Sequence, residues 1–321
     1  MKKSIRSLSM VIPVGILAGV AALSTGAKPA NVKEDKLAKI KEAVPTEAAA
    51  KPAKKHKVLV FSKTNGFRHG SIPTGTEAMR QLGESTGVFE VVHSEDEAMF
   101  EPDKLKEFDG VIFLNTTGEV FRPKKLPGDE AGKKAALERE EMLKKSLVDY
   151  VSGGGALIGM HSATDTYKRW DEFNKMMGGA FDGHPWHMKV KAKNLDPGHP
   201  VNKAFDGKDL EVTDEIYQFR AGTGNAGDRR MLLGLSGELA DLKKGKREDG
   251  FYAISWVSEY GKGKTFYCSL GHRDEIYWNP MVLRHYLAGI QFALGDLEAD
   301  ATPKEVAATL EDAGIVNLAK N

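Results

Sequence analysis

Three almost unbroken apolar runs constrain this chain more than any other feature: KVLVF at 57–61, DGVIFLNT at 109–116 and ALIGM at 156–160. A strand with no polar face has nothing to turn toward water, so it must be covered on both sides. Helical periodicity fills the gaps between them. It runs over 73–85, and over 136–151 with Leu137, Met142, Leu147 and Val151 on one stripe, while FEVVHS at 89–94 adds another strand. Strand, helix and strand in repeated succession predict an α/β fold with a mainly parallel sheet between two layers of helices. After residue 185 the pattern changes to β-like runs, HMKVKA, LEVTDEIYQF, MLLGLSG, YAISWVSEY and KTFYCSL, with turns rich in Gly and Asp. These read as added, partly antiparallel strands, closed by a helix from Pro280 to Leu294.

The ends of the chain differ in kind. Lys2, Lys3 and Arg6 precede an apolar run from Leu8 to Leu23 and the small residues Ser24-Thr25-Gly26-Ala27, the pattern of a secretory signal over 1–27. A retained anchor is the alternative, although Pro13, Gly15 and Gly19 interrupt the run. The expectation is an exported protein, periplasmic or extracellular, with no membrane span after processing. Residues 28–56, rich in Lys, Ala, Pro and Glu, read as a linker, within which Leu37, Ile40 and Val44 share one helical face. The folded domain then covers 57–296, followed by a tail over 297–321. Loss of the signal removes three positive charges and takes the net from +1 to −2. That balance gives no electrostatic case for nucleic acid or an anionic membrane. The one cysteine, Cys268, cannot form an internal disulfide and reads as a packing residue.

Several familiar motifs are absent or fail. Gly263-Lys264-Thr265 lacks the earlier glycine of a phosphate loop, because Ser258 stands there. Gly153-Gly154-Gly155 precedes its strand, whereas a dinucleotide fingerprint follows one. No nucleotide cofactor is expected. There is neither a His-Glu-x-x-His helix nor a pair of cysteines at zinc spacing.

What remains is histidine at strand ends and turns. His69 follows the first strand in NGFRHGS, and His161 and Ser162 end the fourth in GMHSA. His184 and His187 flank Pro185-Trp186, and His272 ends a late strand in SLGHRDE. Open parallel sheets build their sites beyond the carboxyl ends of strands, so His69 and His161 are expected at one edge. Imidazoles with a carboxylate such as Glu215 suit a borderline divalent cation, zinc above all. The structural alternative is hydrogen-bonded imidazoles without a ligand role, and His56, His93 and His285 are assigned to it, with His199 as a turn cap. Trp186 and Trp278, in polar turns containing proline, are candidates for the apolar face of a sugar.

Taken together, VLVFSKTNGFRHGSI, LVDYVSGGGALIGMHSA, MMGGAFDGHP, GHPVNKAF, VTDEIYQF, ISWVSEYGKGKTFYCSLGH and the Asn-Pro before the last helix resemble the trehalose-utilisation (ThuA-like) family of the class I glutamine amidotransferase-like superfamily, over 57–295. The resemblance implies a flavodoxin-like three-layer sandwich in a single domain. Amidotransferases of that superfamily place cysteine in Gly-x-Cys-x-Gly, whereas here His161 stands at the nucleophile position with Ser162 after it. Without a thiolate, cysteine-type acyl transfer is excluded, and glutaminase activity with it.

The family context implies sugar catabolism, with keto-sugars supplied by a partner dehydrogenase. The resulting expectation is metal-assisted elimination or hydrolysis of keto-sugar glycosides. Its ligands are His69, His161 and His184, and its acid/base groups His161, His272 and Glu215. Arg68, Ser162, Trp186, Tyr217 and Trp278 would bind the substrate. The alternative is a non-catalytic carbohydrate-binding protein on the same scaffold.

Overall fold

The structure, a computed structural model, describes residues 32–225 and 227–304. The proposed signal segment lies outside the described residues. In chain order the elements are α1 (Glu34–Ala43), β1 (His56–Phe61), α2 (Ile72–Thr86), β2 (Phe89–Ser94), α3 (Pro102–Leu105), β3 (Gly110–Leu114), α4 (Glu130–Ser152), β4 (Ala156–Met160), α5 (Asp171–Met177), β5 (Trp186–Asn194), β6 (Leu210–Ile216), β7 (Arg230–Leu235), β8 (Ala253–Tyr260), β9 (Gly263–Cys268) and α6 (Pro280–Ala293). The strands form one sheet in the order β2-β1-β3-β4-β9-β8-β7-β5-β6.

Five of these strands are parallel: β2 and β3 flank β1, β4 follows β3, and β9 pairs in parallel with β4. The remainder, β8, β7, β5 and β6, add in antiparallel fashion. The antiparallel extension agrees with the sequence reading, but the last run of the chain does not stay within it. β9 returns to the middle of the sheet, so its carboxyl end emerges beside those of β1, β3 and β4.

The three layers follow from burial. Every residue of β3 and β4 is buried, as a strand covered on both faces requires. Phe266 lies against Gly289 of α6, and Gly159 lies against Met177 of α5. Facing residues of neighbouring strands share a side, so α2 and α6 pack on one face, and α4 and α5 on the other. Helix ends are set by ordinary chemistry. Asn279 caps α6 by accepting from the backbone N–H groups of Met281 and Val282, with Pro280 at the first helical position. Gly87, at φ 68°, ends α2 in the left-handed region.

Two segments assigned to linker and tail are part of the packed body. Ile40 of α1 is fully buried, and the side-chain carbonyl of Gln291 in α6 accepts from the backbone N–H of Ala49 and of Ala50 at 2.7 and 3.1 Å. Ala53 donates to Asp296, and the carboxylate of Asp296 meets His56 at 3.1 Å. Beyond residue 296, Leu297, Ala299 and Ala301 pack against the core, and Arg230 pairs with Asp300 at 2.9 Å. Composition misled here because a strap needs only a few apolar contacts plus backbone hydrogen bonds, and backbone groups leave no trace in composition.

Candidate metal centre

The turn after β4 positions the central group. His161 takes φ 49°, uncommon for a residue with a Cβ, and begins a 3-10 turn over His161–Asp165. The surroundings hold it there. Tyr267 donates to the His161 carbonyl at 2.6 Å, and His161 Nδ1 donates to the carbonyl of Ser269 at 2.7 Å. With its proton on Nδ1, the ring presents a bare Nε2 to the site.

Three further groups converge on that nitrogen. His69 Nε2 lies at 3.2 Å, the Tyr217 hydroxyl at 3.0 Å and Glu215 Oε2 at 3.6 Å. His272 joins through Nδ1, 3.1 Å from Glu215 Oε2. One donor atom from each of His69, His161, Glu215 and His272 lies within 4.8 Å of the others.

Each comes from a different part of the fold. His69 lies between β1 and α2, and His272 follows β9, which is why the parallel pairing of β9 matters. Its turn is pinned from several directions. The carboxylate of Asp214 accepts from the backbone N–H of Gly271 and Arg273 at 2.7 and 3.0 Å, while Ser71 and the Asn115 amide both donate to the Gly271 carbonyl. Glu215 and Tyr217 arrive from the end of β6, at the far edge of the sheet. They reach the centre because residues 180–183 link the two regions. Phe181 donates to the carbonyl of Thr164 in the turn after His161, and on its other side Gln218 and Arg220 donate to Gly183 and Ala180.

Burial sets the charge state. Loss of water lowers His69 to about 4, helped by the neighbouring imidazoles, and lowers fully buried His161 well below the usual histidine range. Both are neutral at pH 7. Glu215 is pushed up by burial, but His272, with His184 and His69 nearby, more than offsets this and leaves it lowered. His272 is raised by the Glu215 carboxylate beside it. Asp214 is raised to about 7, because burial outweighs its two backbone donors. The buried Tyr217 hydroxyl is raised and stays protonated.

The donor set fits a divalent cation on three counts. Two neutral imidazoles bring their Nε2 atoms to 3.2 Å, where two facing lone pairs repel unless a proton or a cation lies between them. The hydroxyl of Ser162, 3.2 Å from His69 Nδ1, can accept the His69 proton and leave Nε2 bare like that of His161. His272 Nδ1 is buried without a hydrogen-bond partner, since Glu215 lies close but off the line of its N–H. Three imidazoles and one carboxylate are the ligands that zinc takes.

The residues singled out in the sequence fare differently. His69, His161, Ser162, Glu215, Tyr217 and His272 come together. His184, expected among the ligands, instead meets the outer oxygen of Glu215 at 3.2 Å with its side chain 54% exposed, so it stands at the mouth. Glu215 and His272, read as acid/base groups, are two of the four residues whose donor atoms converge.

Trp186 is not a sugar platform. It opens β5 fully buried, packs edge-on against Tyr252 and donates its indole N–H to the Asp241 carbonyl at 2.9 Å. The proline before it suggested a polar turn, but this is a strand start. Trp278 lies beneath Lys39 of α1, whose ammonium is 5.0 Å from the ring centre. Arg68 points its guanidinium at Glu95, at 2.7 and 3.2 Å. Cys268 is buried and its thiol is pushed up to about 12, as a packing residue would be. Sequence reasoning missed the clamp formed by Asp214; the only signal was its place beside Glu215, facing the opposite way along a strand.

A flavodoxin-like sandwich, its parallel strands extended by antiparallel ones, with histidine at the turn after β4, defines the class of α/β protein to which the chain belongs. Within it the chain belongs to the ThuA family, described as trehalose utilisation, whose pattern matches residues 57–293. Solved structures agree in fold. A ThuA-like protein from Bacteroides uniformis superposes with a TM-score of 0.54 at 21% identity, covering 83% of this chain and 95% of its own. One from Parabacteroides merdae gives 0.54 at 19% identity, covering 78% and 96%. No curated protein matches the chain.

Proposed function

We propose that this protein is an exported, carbohydrate-acting enzyme whose centre at His69, His161, Glu215 and His272 holds a divalent cation, zinc by donor type, and that it cleaves keto-sugar glycosides by elimination or hydrolysis. Membership of the trehalose-utilisation family supports the carbohydrate role. The observation that carries the metal reading is the convergence of four donor atoms within 4.8 Å at the carboxyl edge of the parallel strands. A cation bound there supplies Lewis acidity toward a substrate carbonyl or hydroxyl oxygen.

The chain's own groups do the rest. Tyr217, protonated and 3.0 Å from His161 Nε2, is placed to donate to an oxygen at the centre. His184, open to solvent and in contact with Glu215, is placed to take the proton from the carbon beside a ketone and return it to the leaving oxygen. Ser162 and the Ser269 carbonyl fix the imidazole tautomers. Such a substrate requires a partner sugar dehydrogenase to form the ketone. Export rests on the signal pattern at 1–27. Among the described residues no helix is long and apolar enough to cross a membrane.

The test is metal analysis joined to turnover. Purified protein should carry about one zinc per chain, consistent with a single four-donor site. His161→Ala and Glu215→Gln should lose it, and chelation should abolish cleavage of 3-keto-disaccharides. Protein that binds sugars with no metal and no turnover would instead be a binding module.

A further inference from the structure

We propose that the exposed ring of Phe67 is a stacking platform for one ring of a disaccharide, with His184 and Phe181 receiving the other ring, so that the bond between them lies over the His69–His161–Glu215–His272 centre. The inference builds on the carbohydrate reading above and adds to it the residues that recognise each ring. Phe67 is 65% exposed, more than any other large hydrophobic side chain among the described residues. Its exposure is built in, because the backbone around it is fastened. Asn65 and Gly66 donate to the Thr117 carbonyl at 2.8 and 3.2 Å, the Thr117 hydroxyl donates to the Phe67 carbonyl at 2.8 Å, and the Asn65 amide donates to the Arg122 carbonyl at 3.0 Å. The backbone that carries the ring is thus fixed in place beside the buried polar cluster, which limits the ordering a ligand would have to impose.

The rings form one continuous series. Phe67 meets His69 edge-on at 4.8 Å, His69 meets His161 at 4.7 Å, His161 meets Tyr217 at 4.5 Å, and Tyr217 meets Phe181 at 4.4 Å. Phe181 then stacks on exposed His184 at 5.9 Å and 19°. The donor cluster therefore lies in the middle of the series, with an exposed side chain, Phe67 or His184, at either end. A pyranose offers an apolar C–H face bordered by hydroxyls, which suits an aromatic face beside imidazoles. The lone exposed Phe67 is not the broad apolar patch a protein partner would need.

The experiment is calorimetric titration of the full chain with trehalose, cellobiose and glucose, for wild type, Phe67→Ala and Phe67→Trp, with melting and zinc content measured for each. Wild type should bind a disaccharide more tightly than glucose. Phe67→Ala should weaken disaccharide binding about tenfold, the size of one aromatic stacking contact, and leave glucose within about twofold. Phe67→Trp should restore it, and neither substitution should alter zinc content. Unchanged disaccharide affinity in Phe67→Ala, an equal loss for glucose, or no sugar binding by wild type would overturn the proposal. Sugar binding that depends on Phe67 in a protein without zinc would sustain it and refute the metal centre alone.

Discussion

At the scale of the residue, His161 shows how a single position can be legible in identity and opaque in role. Its place at the end of an apolar strand, with serine after it, marks a site, and histidine there offers no thiolate for a cysteine-type acyl transfer. Its protonation is decided by a carbonyl 108 residues away, that of Ser269. Burial of histidine has a measurable consequence in the metal-free protein. His285 is fully buried between Ser255 and the Val201 carbonyl and is lowered to about 4 by desolvation, as is His69. A histidine lowered in the folded state binds its proton only after unfolding between pH 4 and its ordinary value of 6.5. The unfolded chain then carries more protons, so stability is full above pH 6.5 and falls as pH drops toward 4. Asp214, raised to about 7, acts in the opposite sense over the whole of that range and offsets part of the loss. Each such histidine contributes about 3 kcal/mol over the window. Urea titrations of chelated protein from pH 7 to pH 5 should show this loss, and His285→Asn should flatten the slope. An unchanged slope in that variant would mean that His285 is not held neutral.

At the scale of the element, the N-terminal strap matters most. α1 packs on α2 and on the 3-10 turn at Asp274–Trp278 that immediately follows His272 and Arg273, and Lys36 meets Asp274 at 2.5 Å. The strap thus braces the segment that carries one donor of the candidate centre. Removing it leaves Gln291 without the backbone of Ala49 and Ala50, and uncovers the site of Ile40. A Gln291→Ala change should cost about 1–3 kcal/mol, the penalty of unpaired buried amides. A chain starting at Lys57 should lose more, by about 2 kcal/mol for the burial of Ile40 alone. Denaturant midpoints measure both. A truncated chain as stable as the full one would make the strap a passive leader.

At the scale of the whole molecule, the sheet crosses both halves of the sequence without interruption, and one cooperative unfolding transition is expected of the described body. A cation that binds only the assembled centre should raise that transition. At a hundred times its dissociation constant zinc should add about 2.7 kcal/mol, and the shift should vanish in His161→Ala. Differential scanning calorimetry with and without zinc reads this directly; no shift in wild type would deny the centre its cation.

The elements themselves were determined locally. Continuous apolar runs made β1, β3 and β4 buried strands, helical stripes made α2 and α4, and Asn279-Pro280 began α6, because such patterns act over a few residues. Their assembly was not. Whether KTFYCSL pairs with its antiparallel neighbour alone or also returns to β4 depends on partners more than a hundred residues away, and that pairing carries His272 to the edge shared by His69 and His161. Likewise Trp186 was buried, and His184 set at the mouth, by packing across the sheet. Sequence fixes which side chains are offered; long-range hydrogen bonding and burial choose which of them meet, because only the closed sheet brings residues 69, 161, 215 and 272 within reach of one another.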